Sequence, residues 1–106
     1  MLSKEQVRKL VNQYATKVVE VLSPTSPVSV VLYGSHAKGN ATANSDIDVA
    51  VIYDGFGGDW LKTSALLWKL SSPISLDIEP ILLDKTKDQS GFIQNIYATG
   101  EVVYGV

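Results

Sequence analysis

The stretch from residue 28 to residue 53 constrains this chain more than any other part of it. Two runs rich in β-branched residues, VSVVLY at 28–33 and IDVAVIY at 47–53, have the composition of buried strands. The first ends at Gly34-Ser35. After ten small and polar residues, Asp46-Ile47-Asp48 opens the second. A Gly-Ser turn therefore leaves one apolar strand, and paired carboxylates enter the next.

The rest of the chain alternates around this centre. Val7, Leu10, Val11, Tyr14, Val18 and Leu22 recur at helical spacing, which predicts an amphipathic helix over 3–22 with that stripe in the core. Ser3 and Gln6 fit a capping box, and Pro24 and Pro27 stop the helix. A helical turn is expected around 36–39, and DGFGG at 54–58 reads as a flexible turn. Asp59 suits the N-cap of a helix over 60–70, with Leu61, Leu66, Leu67 and Leu70 inward. Residues 74–83 read as a third strand with Asp77 in its middle. Pro80 cannot donate to a ladder, so this strand lies at an edge, or is bulged or broken there. A last helix is expected over 88–99, with Phe92, Ile96 and Tyr97 inward and Gly100 as its C-cap. A short strand at 102–104 follows. The order predicts an α/β sandwich, a small sheet with helices packed on it, as one domain over 1–106.

Composition excludes several functions. A net charge of −2 argues against general binding to long nucleic acids, which rests on many Lys and Arg contacts. Without cysteine there are no disulfides or thiolate metal sites, and one histidine cannot make a multi-histidine zinc site. No apolar run is long enough for a membrane span, and no signal peptide is recognisable, so the expected compartment is the cytoplasm.

The motif carries the chemistry. Side chains alternate along a strand, so Asp46 and Asp48 share one face. Two carboxylates side by side repel unless a cation neutralises them, and Mg²⁺ suits such oxygen donors together with phosphate. Asp77 or Glu79 can complete a three-carboxylate cluster if the second and third strands are neighbours. Asp77, between Leu76 and Ile78, is the stronger candidate. Gly34 permits close approach of a ligand to the backbone. The Ser35 hydroxyl and the N–H groups of a helical turn can hold a phosphate, with Lys38 as the nearest cation. His36 reads as a loop residue near phosphate. Trp60 and Trp68 can stack on a base, although Trp68 fits core or interface better. Tyr33, Tyr53 and Tyr104 read as structural.

With these residues the chain resembles the minimal nucleotidyltransferases (MNT) of the DNA polymerase β-like superfamily. Gly34, Ser35, Asp46 and Asp48 match the family's Gly-Ser and Asp-x-Asp pattern, and Asp77 falls where a third carboxylate is expected. The tail FIQNIYATGEVVY resembles the family's ending. His36 and Lys38 stand where arginines are frequent. The resemblance implies a nucleotidyltransferase fold with a mixed sheet of three to four strands, two Mg²⁺ ions and ATP as donor. It also implies a HEPN-type toxin as partner, with this chain the antitoxin that transfers AMP onto it. Asp46, Asp48 and Asp77 would then be metal-binding and catalytic, and Gly34, Ser35 and Lys38 would bind the nucleotide. Two alternatives remain open: a non-catalytic antitoxin that occludes its partner, and transfer onto a small molecule. Homo- or hetero-oligomers are compatible with each.

Overall fold

The computed structural model describes residues 2–105. Ser3 caps α1 (Lys4–Leu22) through the expected box: its hydroxyl accepts from the Gln6 N–H at 3.1 Å, and the Gln6 side chain accepts from the Ser3 N–H at 2.8 Å. β1 (Ser29–Tyr33) leads through Gly34 into the short helix α2 (Ser35–Lys38), and β2 (Ile47–Tyr53) follows. Asp59 caps α3 (Trp60–Ser71), accepting from the Lys62 N–H at 3.0 Å. β3 (Ile78–Asp84), a 3₁₀ turn, α4 (Phe92–Thr99) and β4 (Glu101–Gly105) complete the order.

The four strands form one mixed sheet in the order β3-β2-β1-β4. β1 pairs antiparallel with β2 and with β4, while β2 and β3 run parallel. Pro80 therefore sits in an edge strand, as its missing donor requires. Alternation divides β2 between two cores. Ile47, Val49, Val51 and Tyr53 pack with α1 and α3, through Val7, Val11, Tyr14, Val18 and Leu67. Ala50 and Ile52 pack on the other face with Ile93 and Ile96 of α4. The buried Tyr14 hydroxyl donates to the Leu67 carbonyl at 2.9 Å and ties α1 to α3.

Several expectations need correction. β3 begins at Ile78 rather than at residue 74, because Ser71 O accepts from both Ile74 N (3.0 Å) and Ser75 N (2.9 Å) and keeps the chain in a turn. Asp77 thus precedes the strand instead of lying within it. Leu61 is 80% exposed rather than core, and Trp68 is also exposed. α4 starts at Phe92 rather than at 88, since the Asp88 carboxylate accepts from Ile93 N and Gln94 N and sits ahead of the first turn. Phe92 is exposed, and Ile93 takes the inward position beside Ile96. Among the described residues, no helix is long and apolar enough to cross a membrane.

Candidate active site

The ends of β1, β2 and β3 bring the motif together. Gly34 leaves β1 at φ +76° and ψ −152°, a conformation almost confined to glycine. A Cβ built there would collide with the Asp48 carboxylate, with Cγ only 3.2 Å away. The turn is therefore pressed against the acidic strand, and the group that approaches the Gly34 backbone is the Asp48 carboxylate. The Lys38 N–H donates to Gly34 O and the Asn40 N–H to Ser35 O, both at 3.1 Å, which closes α2 into one compact turn. His36 Nε2 lies 3.4 Å from the Ser45 carbonyl and latches this turn to the approach of β2. Lys38 is exposed and makes no ion pair among the described residues.

The register decides which carboxylates meet. Asp48 is opposite Tyr33 on β1 and opposite Glu79 on β3. Partners in a parallel pair share a face, so Glu79 stands beside Asp48. Burial, then the charge of Asp46, holds the Asp48 carboxyl above its usual range, with His36 pulling the other way. Glu79 is also held above its usual range, first by a hydrogen bond to the Asp46 carboxylate, then by that carboxylate's charge, by burial and by Asp48. Burial, then Asp48 and Glu79, pushes the Tyr33 phenol up to about 12. Three carboxyl groups crowd one end of this sheet face, and no cation pairs with them among the described residues.

Asp77 has a different neighbourhood. Its carbonyl accepts from the Ile47 N–H at 2.8 Å, so its backbone continues the β2–β3 pairing. It also lines a cleft of about 20 Å³ with Leu2, His36, Ser45 and Ile47. Leu2 and Ile47 belong to the core on the α1 side. The sequence already contained a signal for Glu79, two residues beyond Asp77, but using it required the register with Asp48. Tyr33, read as structural, borders the site, and its ring meets Phe92 edge-on with centroids 6.1 Å apart.

The donor set suits a hard divalent ion. It offers only oxygens, carries uncompensated like charge, and faces a turn with no side chain at Gly34. Among the described residues, no three carboxylate or histidine side chains converge on one ion-sized position. Mg²⁺ tolerates this, because it takes few protein ligands and fills its shell with water and phosphate oxygens.

A mixed sheet whose Gly-Ser turn faces paired carboxylates on the next strand has the parts of a nucleotidyltransferase domain. The family model for polymerase beta, nucleotidyltransferase, matches residues 16–106, and the chain belongs to that family. Among solved structures, a Sulfolobus solfataricus protein assigned to the nucleotidyltransferases superposes with a TM-score of 0.63 at 17% identity, over 93% of this chain and 80% of that one. A chain of a toxin–antitoxin complex with AMP-PNP gives 0.61 at 22% identity, over 90% and 73%. A chain of the Shewanella oneidensis complex between a tri-AMPylated HEPN toxin and an MNT antitoxin gives 0.60 at 22%, over 93% and 73%. No curated protein sequence matches this chain.

Proposed function

We propose that this chain is an Mg²⁺-dependent nucleotidyltransferase that transfers AMP from ATP to a hydroxyl of a HEPN-type partner protein and acts as the antitoxin of that pair. The observation that carries the reading is the uncompensated carboxylate group of Asp46, Asp48 and Glu79 facing the Gly34-Ser35 turn. In the transfer, the acceptor hydroxyl gives its proton to water, its oxygen bonds to the α-phosphorus, the bond from that phosphorus to the α–β bridging oxygen breaks, and pyrophosphate leaves. Bound Mg²⁺ would lower the pKa of the attacking hydroxyl and neutralise charge on the phosphates. The chain's own share is positioning: Gly34 and Ser35 seat the phosphates, Lys38 adds a cation at the rim, and the carboxylates set the metal. Glu79 is the third carboxylate in this reading, because the register stands it beside Asp48. Asp77 shapes the base of β2.

The test is label transfer from α-labelled ATP onto a HEPN-type protein. Asp46→Asn, Asp48→Asn and Glu79→Gln should each lower transfer by roughly a hundredfold or more, as loss of a transition-state charge partner does. Asp77→Asn should stay near wild type. Full activity in Glu79→Gln with loss in Asp77→Asn would return the third role to Asp77. No transfer with any nucleotide would sink the enzymatic reading.

One observation favours the occlusion alternative. Leu61, Ala65 and Trp68 form an exposed stripe along α3, and Leu61 and Trp68 are 80% and 49% exposed. Such a stripe marks a partner surface whether or not transfer occurs. If Asp48→Asn still forms the complex and still silences the partner, occlusion accounts for the antitoxin effect.

A further inference from the structure

The carboxylate face continues into an incompletely covered apolar strip. Glu79, Ile81 and Leu83 alternate onto one face of β3, and Ile81 and Leu83 are only half-buried under α4. At the rise of a strand, Ile81 stands about 7 Å and Leu83 about 13 Å along from Glu79. Phe92 opens α4 and stands edge-on to Tyr33, the cross-strand partner of Asp48, with an interplanar angle of 89°. It is 41% exposed, although the helical pattern places it in the core. Phe92 also rims a cleft of about 320 Å³ with Trp60, Leu83, Lys87 and Ser90. Exposed aromatic surface thus begins beside the carboxylates and continues over an apolar floor.

We propose that this shelf, Phe92 with Tyr33 over Ile81 and Leu83, seats the base of the nucleoside triphosphate. The inference rests on the nucleotidyltransferase reading. The base of a nucleotide is one ribose away from the α-phosphorus, and the shelf starts about one side-chain repeat from Glu79. Stacking accepts any base, with larger rings favoured, so this site prefers purines and discriminates weakly between them. The competing occupant is an aromatic side chain of the acceptor protein.

The experiment compares Mg-ATP with Mg-tripolyphosphate, which shares the phosphates and lacks the base. Binding is followed by calorimetry and by tryptophan fluorescence. Trp60 rims the cleft, whereas Trp68, the other tryptophan, lies on the exposed stripe of α3. Wild type should bind ATP more tightly than tripolyphosphate, with a fluorescence change that disappears in Trp60→Phe. Phe92→Ala should weaken ATP by about tenfold and leave tripolyphosphate unchanged, and Phe92→Tyr should restore ATP. Asp46→Asn should weaken both ligands. If Phe92→Ala leaves the preference for ATP intact, the shelf does not hold the base. If the same variant raises only the KM for the acceptor protein, the shelf belongs to the acceptor and the inference is overturned. If wild type binds neither ligand, the nucleotidyltransferase reading falls and takes this inference with it.

Discussion

Gly34 shows how much a single residue settles here. Its backbone lies in a region that other residues enter at a cost of roughly 1–3 kcal/mol, and the Asp48 carboxylate occupies the space of a side chain. Gly34→Ala should therefore lower stability by about that amount and push Asp48 out of place. Thermal melts should show the lower midpoint. Addition of Mg²⁺ should raise the midpoint of wild type, as a ligand of the native state does, and raise that of the variant less. The position of the Gly34-Ser35 turn at the end of β1 and of Asp46 and Asp48 at the start of β2 was readable from the sequence, because turn chemistry and strand alternation are local. The choice of a third carboxylate, Asp77 from the sequence and Glu79 in the proposed function, is not a local one, because the two are both acidic, two residues apart, and of the same parity. Pairing of Asp48 with Glu79, and the start of β3 after Asp77, separates them.

At the scale of elements, α3 is the instructive helix. Its periodicity nominates Leu61, Leu66, Leu67 and Leu70 as one buried face. In the fold Leu67 and Ser71 are buried, Leu66 and Leu70 half-buried, and Leu61 faces out. The helix lies against both α1 and β3, and Trp60 at its start turns to Phe56, whose ring is 5.3 Å away at 87°. The first turn is therefore anchored by Trp60, and Leu61 is left to solvent. Leu61→Glu and Trp68→Glu should abolish complex formation with the proposed HEPN-type partner in a pull-down. Their chemical-denaturation curves should match wild type within about 0.5 kcal/mol, as expected for exposed sites. A large loss of stability would show that the stripe serves the fold itself.

For the whole molecule, carboxylates work in opposite senses at different places. Arg8 of α1 holds Glu101 of β4 through two hydrogen bonds of 3.0 Å, with Lys4 at 3.4 Å, and this keeps the Glu101 carboxyl below its usual range. Asp84, closing β3, accepts from Gly55 N, Phe56 N, Thr86 N and Thr86 Oγ1. The Thr86 hydroxyl first, then the Phe56 and Thr86 amides, hold it well below the usual range. A depressed carboxyl stabilises the fold fully above its unfolded pKa, about 3.9 for Asp and 4.3 for Glu, and loses that contribution as pH falls through the folded value. Asp48 and Glu79 are raised, so their ionisation opposes folding, and acid relieves it. The thermal midpoint should therefore fall in acid below about pH 4, and more shallowly in Glu101→Gln. An equally steep fall in that variant would remove Glu101 from the account. The sequence by itself determined α1 and α3 with their N-caps, the two apolar strands β1 and β2, and the place of the Gly-Ser and Asp-x-Asp elements at their ends. Capping, periodicity and turn chemistry act over a few residues and are written in the order of the chain. Only the tertiary structure decided that β3 runs parallel to β2 with Glu79 beside Asp48, that Phe92 meets Tyr33, and that Leu61 and Trp68 face outward. Those outcomes depend on strand register and on which helix face finds a partner, and both are set by packing between segments far apart in the chain.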